Sequence, residues 1–169
     1  MHPKERLTES HEQLVIDSQM TRAEALYTHP DSELVCPQEI LDLQAVVSVQ
    51  YYSFDGLLHE GQIVVDKRLA PDIKRLFTAL KDKKFPISSV IPISHPLFRG
   101  SDDRSMSYNN SSGFNYRPIG RKPVLSEHGL GWAIDLNPMQ NPMIIGTDVS
   151  PQGATYNPRR AGTITEDSF

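Results

Sequence analysis

One short stretch, residues 125–138 (LSEHGLGWAIDLNP), contains residue types whose spacing is suited to chemistry. Ser126 and His128 are two positions apart, so in an extended segment their side chains project from the same side. Asp135 is the one charged residue of the apolar strand predicted after them, and an isolated buried carboxylate is costly without a partner. Because imidazole nitrogen and carboxylate oxygen both bind zinc well, His128 and Asp135 indicate a metal site.

A simpler interpretation of the same pair needs no metal. A histidine and an aspartate can share a hydrogen bond or lie in an exposed turn, and Asp135 can cap the turn at Asn137 and Pro138. Spacing alone leaves both interpretations open.

Length, charge and cysteine content narrow the classes of protein. The chain has 169 residues, which fits one domain, and its net charge of −4 argues against a dedicated binder of nucleic acid or anionic membranes. Its single cysteine, Cys36, excludes an internal disulfide framework and a multi-cysteine zinc cluster. No apolar run approaches the roughly 20 residues that span a bilayer, and no secretory signal is visible, so we expect no membrane span.

Hydrophobic periodicity predicts the elements that must position these side chains. Alternating apolar residues predict strands at 45–54 and 57–65, joined by a hairpin turn at Asp55-Gly56. Apolar positions at i, i+3, i+4 and i+7 predict a helix over 70–80. Weaker patterns predict a helix at 8–27 and two more strands at 85–93 and 130–136. The segment 94–125 is predicted to be a long functional loop.

Together these elements predict an α+β fold class, with a small and mostly antiparallel sheet flanked by helices. Residues 1–36 are polar and are predicted to form a peripheral N-terminal arm. Residues 37–169 are predicted to form one domain.

The motif itself resembles a family signature. The pattern Ser-x-His-x-x-Gly-x-Ala-x-Asp resembles that of the zinc metallopeptidases of family M15, the bacterial D-alanyl-D-alanine carboxypeptidases, dipeptidases and L-alanyl-D-glutamate endopeptidases. Sequence upstream and downstream of the motif is also similar to one branch of this family, from about Pro37 to the C-terminus. The motif residues here are Ser126, His128, Gly131, Ala133 and Asp135.

The resemblance implies a D-Ala-D-Ala peptidase or Hedgehog-like fold, zinc as cofactor and a peptidoglycan stem peptide as substrate. It makes His128 and Asp135 zinc ligands and places Ser126 at the lining of the site. An upstream arginine would hold the substrate carbonyl as charge develops on it. Arg117 is favoured for this catalytic role, and Arg104 is the other candidate.

Two of these assignments have plain structural alternatives. The loop at residues 109–114, with Asn110 as a substrate-binding residue, can shape the cleft or can simply form turns. Arg117 can contact substrate or can form an ion pair with a surface carboxylate.

The chain also departs from the family pattern. The family needs a third zinc-binding histidine and a glutamate as general base, both from a C-terminal motif. Here no histidine follows His128, and Glu166 is the only glutamate after Asp135. Two protein ligands seldom make a tight zinc site, and neither His95 nor His59 is a strong substitute.

We therefore expect a C-terminally incomplete peptidase domain with little or no activity of its own. The alternative is a non-catalytic descendant that binds metal or cell-wall peptide. The family's substrate lies outside the cytoplasmic membrane, whereas this chain shows no export signal, so the compartment stays open.

Overall fold

The computed structural model describes residues 16–30, 34–119 and 124–168. They form an α+β structure, which confirms the fold class at that level. In chain order the elements are α1 Arg22–Ala25, α2 Gln38–Leu43, β1 Gln44–Tyr52, β2 Leu58–Asp66, α3 Ala70–Asp82, β3 Ser89–Val90, α4 Asp102–Ser107, β4 Asn110–Ser111, a 3-10 helix Glu127–Leu130, β5 Met143–Ile145 and β6 Asp148–Ser150.

The β1–β2 hairpin is the centre of the fold. Its strands are antiparallel, with a register that runs from Gln44 opposite Asp66 to Tyr52 opposite Leu58. The turn closes where the Gly56 N–H donates to the Ser53 carbonyl at 2.9 Å. The predicted hairpin is therefore confirmed. Its signal in the sequence was two runs of alternating apolar residues on either side of an Asp-Gly dipeptide.

Helix α3 covers one face of this hairpin. Pro71 lies in its first turn, where its missing N–H costs no hydrogen bond. Its apolar stripe of Ile73, Phe77 and Leu80 is buried, as the spacing predicts. The hairpin residues in the same hydrophobic core are Val47, Val49, Tyr51, Ile63 and Val65.

The predicted third strand and the long loop are corrected by the structure. Of residues 85–93 only Ser89–Val90 are a strand, and this strand pairs in parallel with β4. Proline has no N–H to donate, which limits pairing around Pro86 and Pro92. In the described ranges the strands form three two-stranded sheets, so the sheet is less continuous than predicted.

Helix α4 lies inside the segment predicted to be a loop. The Ser101 hydroxyl accepts a hydrogen bond from the Arg104 N–H, and Asp102 and Asp103 occupy the first turn. A serine cap followed by acidic residues is a signal for the start of a helix. The helix was not predicted because the segment has too few apolar residues to show a helical period.

The predicted strand at 130–136 is wrong. Glu127–Leu130 form a 3-10 helix capped by Ser126, and Gly131 ends it in the left-handed region with φ of 73°. Only Asp135 makes a strand-like contact, an isolated bridge to Ser112. Ser126 and His128 therefore do not share one side of an extended segment.

The N-terminal arm is more firmly held than a peripheral segment would be, as far as it is described. The Ser18 hydroxyl donates to the Gln62 side chain at 2.8 Å, and Gln62 donates back to the Met20 carbonyl at 2.9 Å. The predicted helix at 8–27 is reduced to Arg22–Ala25 in this part, and residues 8–15 lie outside the described residues.

Candidate metal site

The outer edge of β2 positions the first part of the site. The Phe114 N–H donates to the Val64 carbonyl at 2.7 Å, which lays residues 113–114 along the strand. Gly113 approaches so closely that a Cβ there would lie 2.2 Å from the Val64 carbonyl oxygen. Only glycine permits this approach, and it brings the Gly113 carbonyl within reach of His128.

The end of the same hairpin holds the segment that contains His128. The Asp66 N–H donates to the Gly131 carbonyl at 2.9 Å, and the Gln44 side-chain amide donates to the Leu130 carbonyl at 3.2 Å. A Cβ on Gly131 would lie 2.1 Å from the Gln44 side-chain oxygen. The tight turn after His128 therefore depends on a glycine with positive φ.

The Asp66 side chain adds a second anchor to this segment. Its carboxylate accepts two hydrogen bonds from the Arg68 guanidinium, at 2.9 and 2.7 Å, and one from Trp132 Nε1 at 3.3 Å. The Arg68 guanidinium also lies 5.8 Å from the centre of the Trp132 ring. Trp132, which lies between His128 and Asp135 in the sequence, is thus held by Asp66 and Arg68, although half of it is exposed.

The His128 ring is oriented by a backbone carbonyl. Its Nδ1 lies 2.9 Å from the Gly113 oxygen, which can only accept a hydrogen bond, so Nδ1 carries the proton. In the neutral ring, Nε2 then presents its lone pair, and Nε2 lies 3.6 Å from Asp135 Oδ2. A histidine that donates one ring N–H to a carbonyl and offers the other nitrogen is typical of metal ligands.

The separation between Nε2 and Oδ2 distinguishes the two interpretations of the pair. A separation of 3.6 Å is longer than a good hydrogen bond between these atoms. Two ligand atoms at about 2.0–2.1 Å from a tetrahedral zinc lie about 3.3 Å apart. The pair is therefore closer to the spacing of two ligands than to that of a direct hydrogen bond, and these two residues fit the group.

The electrostatics around Asp135 favour a cation. Burial raises the pKa of Asp135, the protonated form of His128 and the Arg117 guanidinium act to lower it, and the charge of Asp102 raises it further. On balance the pKa of Asp135 is above its ordinary value, because burial is the largest effect. A metal ion at Nε2 and Oδ2 would supply the positive charge that the ionised carboxylate lacks.

Arg117 is placed near this pair and already has a carboxylate partner. Its Nη2 donates to Asp102 Oδ2 at 2.8 Å, so the ion-pair alternative is present in the structure. Its Nε is buried and finds no hydrogen-bond partner among the described residues. One side of the guanidinium is therefore fixed by α4, and one donor remains unused.

The other predicted site residues have different surroundings. Arg104 is exposed on α4. Asn110 is fully buried, and its amide bonds to Ser89, Ser105 and the backbone of Ile91. Asn110 thus has a structural role here, because it joins three segments.

Ser126 acts on His128 through the backbone. Its hydroxyl accepts a hydrogen bond from the His128 N–H at 3.3 Å, and the residue is 7% exposed. In this structure Ser126 shapes the turn that carries His128.

Neither upstream histidine joins the pair. His59 lies between Asp55 and Asp17 at the far end of the hairpin, with ring nitrogens 2.8 and 3.2 Å from their carboxylates. His95 Nδ1 accepts from the Leu97 N–H at 3.2 Å. Across the described ranges, no group of three histidine, cysteine, aspartate or glutamate side chains is arranged to hold a metal.

Sequence reasoning missed Ser112. Its backbone exchanges two hydrogen bonds with the backbone of Asp135, at 3.1 and 2.8 Å, which fixes the position of Asp135 along the chain opposite it. Its hydroxyl is buried and has no partner among the described residues. Nothing in its spacing signals this role, because the contact joins segments 23 residues apart.

Comparison with known proteins assigns no family. No family model, no curated protein and no solved structure matches the chain. None of the helices in the described ranges has the length and apolar character that a membrane crossing needs.

Proposed function

We propose that the chain is a zinc-dependent peptidase domain that acts on peptidoglycan stem peptides, with His128 and Asp135 as its first two zinc ligands. The observation that carries the metal part of this proposal is the 3.6 Å separation between Nε2 and Oδ2, with Nδ1 held by the Gly113 carbonyl. The peptidase part rests on the resemblance of the 126–135 motif to family M15.

Each residue has a definite task in this proposal. When bound, zinc supplies Lewis-acid polarisation of a carbonyl and activation of a water molecule. His128 would offer a neutral nitrogen, and Asp135, whose backbone is held by Ser112, would offer the negative charge. Arg117, positioned by Asp102, would donate a hydrogen bond to the substrate oxygen as negative charge develops on it.

A second candidate function is a binding module that holds metal or cell-wall peptide without cleaving it. It is favoured by one observation, the lack of a third metal-ligand side chain near His128 and Asp135 within the described ranges. A catalytic zinc site ordinarily has three protein ligands and one open position.

Metal binding is tested by measuring the zinc content of the purified chain and by titrating it with Co²⁺, whose visible absorption reports tetrahedral coordination. We expect weak, substoichiometric zinc that falls further in His128→Ala and in Asp135→Asn. His59→Ala is the matched control. Because His59 contacts other carboxylates, this variant should retain the metal. Unchanged zinc in His128→Ala would refute the ligand assignment.

Activity separates the two candidates. The substrate is an acyl-D-Ala-D-Ala peptide, and release of D-alanine is followed with and without added zinc. Because no general base is identified, we expect turnover to be weak. Zinc binding without any turnover above that of His128→Ala favours the binding module. Turnover that is abolished in both His128→Ala and Arg117→Ala favours the peptidase.

A further inference from the structure

The N-terminal arm is attached to β2 beside the hairpin turn. The Ser18 N–H donates to the Glu60 carbonyl at 3.0 Å, and the Glu60 N–H donates to the Asp17 carboxylate at 3.0 Å. The Met20 N–H donates to the Gln62 side chain at 2.6 Å. Each of these bonds joins the arm to the hairpin, so the amides of Ser18, Met20 and Glu60 report whether the arm is in place.

His59 lies between this arm and the hairpin turn. Its Nδ1 lies 3.2 Å from Oδ1 of Asp17 in the arm, and its Nε2 lies 2.8 Å from Oδ2 of Asp55 in the turn. The His59 side chain is 16% exposed, and its ring packs against the ring of Tyr51 with the two centres 5.9 Å apart. One imidazole thus bridges two carboxylates that belong to different segments of the chain.

The two carboxylates determine which protonation state of the His59 ring fits this position. The pKa of Asp55 is lowered, chiefly because the Leu57 N–H donates to its carboxylate, and the His59 ring lowers it further. An ionised carboxylate only accepts hydrogen bonds, so a ring nitrogen that bonds to one carries a proton. Contacts to two carboxylates need a proton on both nitrogens, which is the positively charged imidazolium.

The groups around the ring supply no other positive charge within the described ranges. Asp17 faces the ring from the arm and Asp55 from the turn, and neither forms an ion pair with a lysine or arginine of those ranges. Tyr51 packs against the ring from β1, and burial raises the pKa of this tyrosine, so its hydroxyl stays neutral. Glu60 is the next residue along β2 and adds a further carboxylate. The protonated ring is therefore the cation that balances these charges.

We propose that His59 is a pH-sensitive latch, which holds the arm on the hairpin while its ring is protonated and loosens the arm when the ring loses a proton. A neutral imidazole has one N–H and one lone pair, so it can donate to Asp17 or to Asp55 but not to both. The other carboxylate then faces the lone pair, which repels it. Imidazole changes charge between about pH 5 and 8, so the arm is held at the lower end of this range and loosened at the upper end.

The arm separates two cavities, so the latch controls what the hairpin exposes. Residues 18–20 line a cavity of about 620 Å³ on the side of α3, and they also line a cavity of about 580 Å³ on the side of His95. A loosened arm removes the wall that the two cavities share. Protonation of His59 therefore regulates access to this face of the hairpin.

A second attachment confines the change to the first part of the arm. The Arg22 guanidinium donates to the Gln44 carbonyl at 2.6 Å and to the Leu41 carbonyl at 2.9 Å, and arginine keeps its charge throughout this pH range. Release of Asp17 therefore loosens the residues before α1 and leaves α1 in place. The candidate metal site is held at the opposite end of the hairpin, where Gln44 pairs with Asp66, so the latch is independent of the proposed function.

Amide hydrogen exchange of the ¹⁵N-labelled chain tests the latch. The exchange rates of Ser18, Met20 and Glu60 are measured by NMR at pH 5 and pH 8, and each is divided by the intrinsic rate of that amide at the same pH. We expect the protection of these three amides to fall about three- to fivefold from pH 5 to pH 8, the size that one exposed ion pair contributes.

Three variants separate the latch from a general effect of pH. His59→Gln removes the charge, so the protection of the arm should be low and equal at both pH values. Asp55→Asn supplies a donor to Nε2 of the neutral ring, which leaves the Nδ1 proton for Asp17, so the arm should stay protected at pH 8. His95→Gln is the matched control and should keep the fall, because His95 lines a cavity beside the arm but bonds to the Leu97 N–H.

The proposal is overturned by equal protection of the arm amides at pH 5 and pH 8 in the parent chain. It is also overturned if the fall persists in His59→Gln or in Asp55→Asn, or if His95→Gln abolishes it. Asp55→Asn keeps the test decisive should His59→Gln fail to fold, since the asparagine oxygen can still accept from the Leu57 N–H.

Discussion

Asp66, which holds the turn at Gly131, and Asp135, four residues after that turn, have pKa values shifted in opposite directions. The Asp66 side chain is 2% exposed, yet its pKa is held well below the ordinary range because the Arg68 guanidinium donates hydrogen bonds to it. The Asp135 side chain is 32% exposed, yet burial raises its pKa. The comparison shows that a guanidinium partner keeps the pKa of a buried carboxylate low, whereas burial dominates the pKa of a carboxylate without a bonded partner.

The two aspartates also differ in whether their hydrogen-bond partners lie within the chain. Asp66 has a complete set of partners within the chain and anchors the segment that carries His128. Asp135 faces the lone pair of a histidine at a distance too long for a good hydrogen bond. In the proposed metal site, Asp66 would therefore orient the turn that carries His128, and Asp135 would be left to bind the metal.

The largest effect on stability is expected from removing the Asp66 carboxylate. Asp66→Ala leaves Trp132 Nε1 and Arg68 without their acceptor and loosens the turn at Gly131. We expect a loss of about 3 kcal/mol in the free energy of unfolding, from several hydrogen bonds to a charged group. Urea denaturation, read as a shift in midpoint at constant slope, measures it.

Asp72→Ala is the matched control for that variant. Asp72 forms an exposed ion pair with Arg75 on α3, so its removal should cost less than about 1 kcal/mol. Equal losses in the two variants would show that Asp66 is not an anchor of the site.

The pH dependence of stability sharpens the same comparison. The ionised Asp66 contributes stability that is present above the unfolded pKa of about 3.9 and is lost as the pH falls through its lowered folded pKa. The contribution of Asp135 to stability changes with pH in the opposite direction. Its protonated form contributes stability that is present below the unfolded pKa and is lost as the pH rises through the raised folded pKa.

Asp135→Asn should remove that second contribution. In EDTA, the stability of the metal-free parent should decline with pH above about 4, with a slope of at most about 1.4 kcal/mol per pH unit, and the variant should not show this decline. Added zinc at 100 times its dissociation constant should stabilise the parent by about 2.7 kcal/mol and the variant far less. Parallel pH profiles, measured by urea denaturation from pH 4 to 8, would contradict the raised pKa.

The two aspartates also illustrate which features could be predicted from the sequence and which could not. The hairpin and α3 follow from repeating apolar positions, and local periodicity is enough to specify them. His128 and Asp135 are candidate ligands that residue type and spacing indicate, and their role stays a prediction. The partners that surround them, such as Gly113 and Ser112, come from distant segments and act through backbone atoms, so no local spacing links them to His128 or Asp135.

The predicted strand at 130–136 failed for a related reason. The alternation of Trp132, Ile134 and Leu136 has the period of a strand, yet the preceding residues satisfy a stronger local rule. Ser126 caps the 3-10 helix, and Gly131 ends it with a positive φ. Capping at the start and a glycine at the end override a short apolar alternation.

The smallest predicted effect concerns that cap. Ser126→Ala removes the acceptor for the His128 N–H and should cost about 1 kcal/mol of stability, the usual cost of losing an N-cap. Ser101→Ala removes the corresponding cap of α4 and should cost a similar amount, because its hydroxyl accepts from the Arg104 N–H in the same way.

The two variants should differ in zinc affinity, measured by competition with a chromophoric chelator. Ser126 holds the turn on which His128 depends, so Ser126→Ala should weaken zinc binding about tenfold, the lower end of the range that outer partners of metal ligands ordinarily contribute. Ser101→Ala should leave zinc affinity unchanged, since α4 supplies no ligand in the proposed site. If both variants lose stability equally and neither alters zinc affinity, Ser126 is a helix cap alone and the turn does not position His128 for a metal.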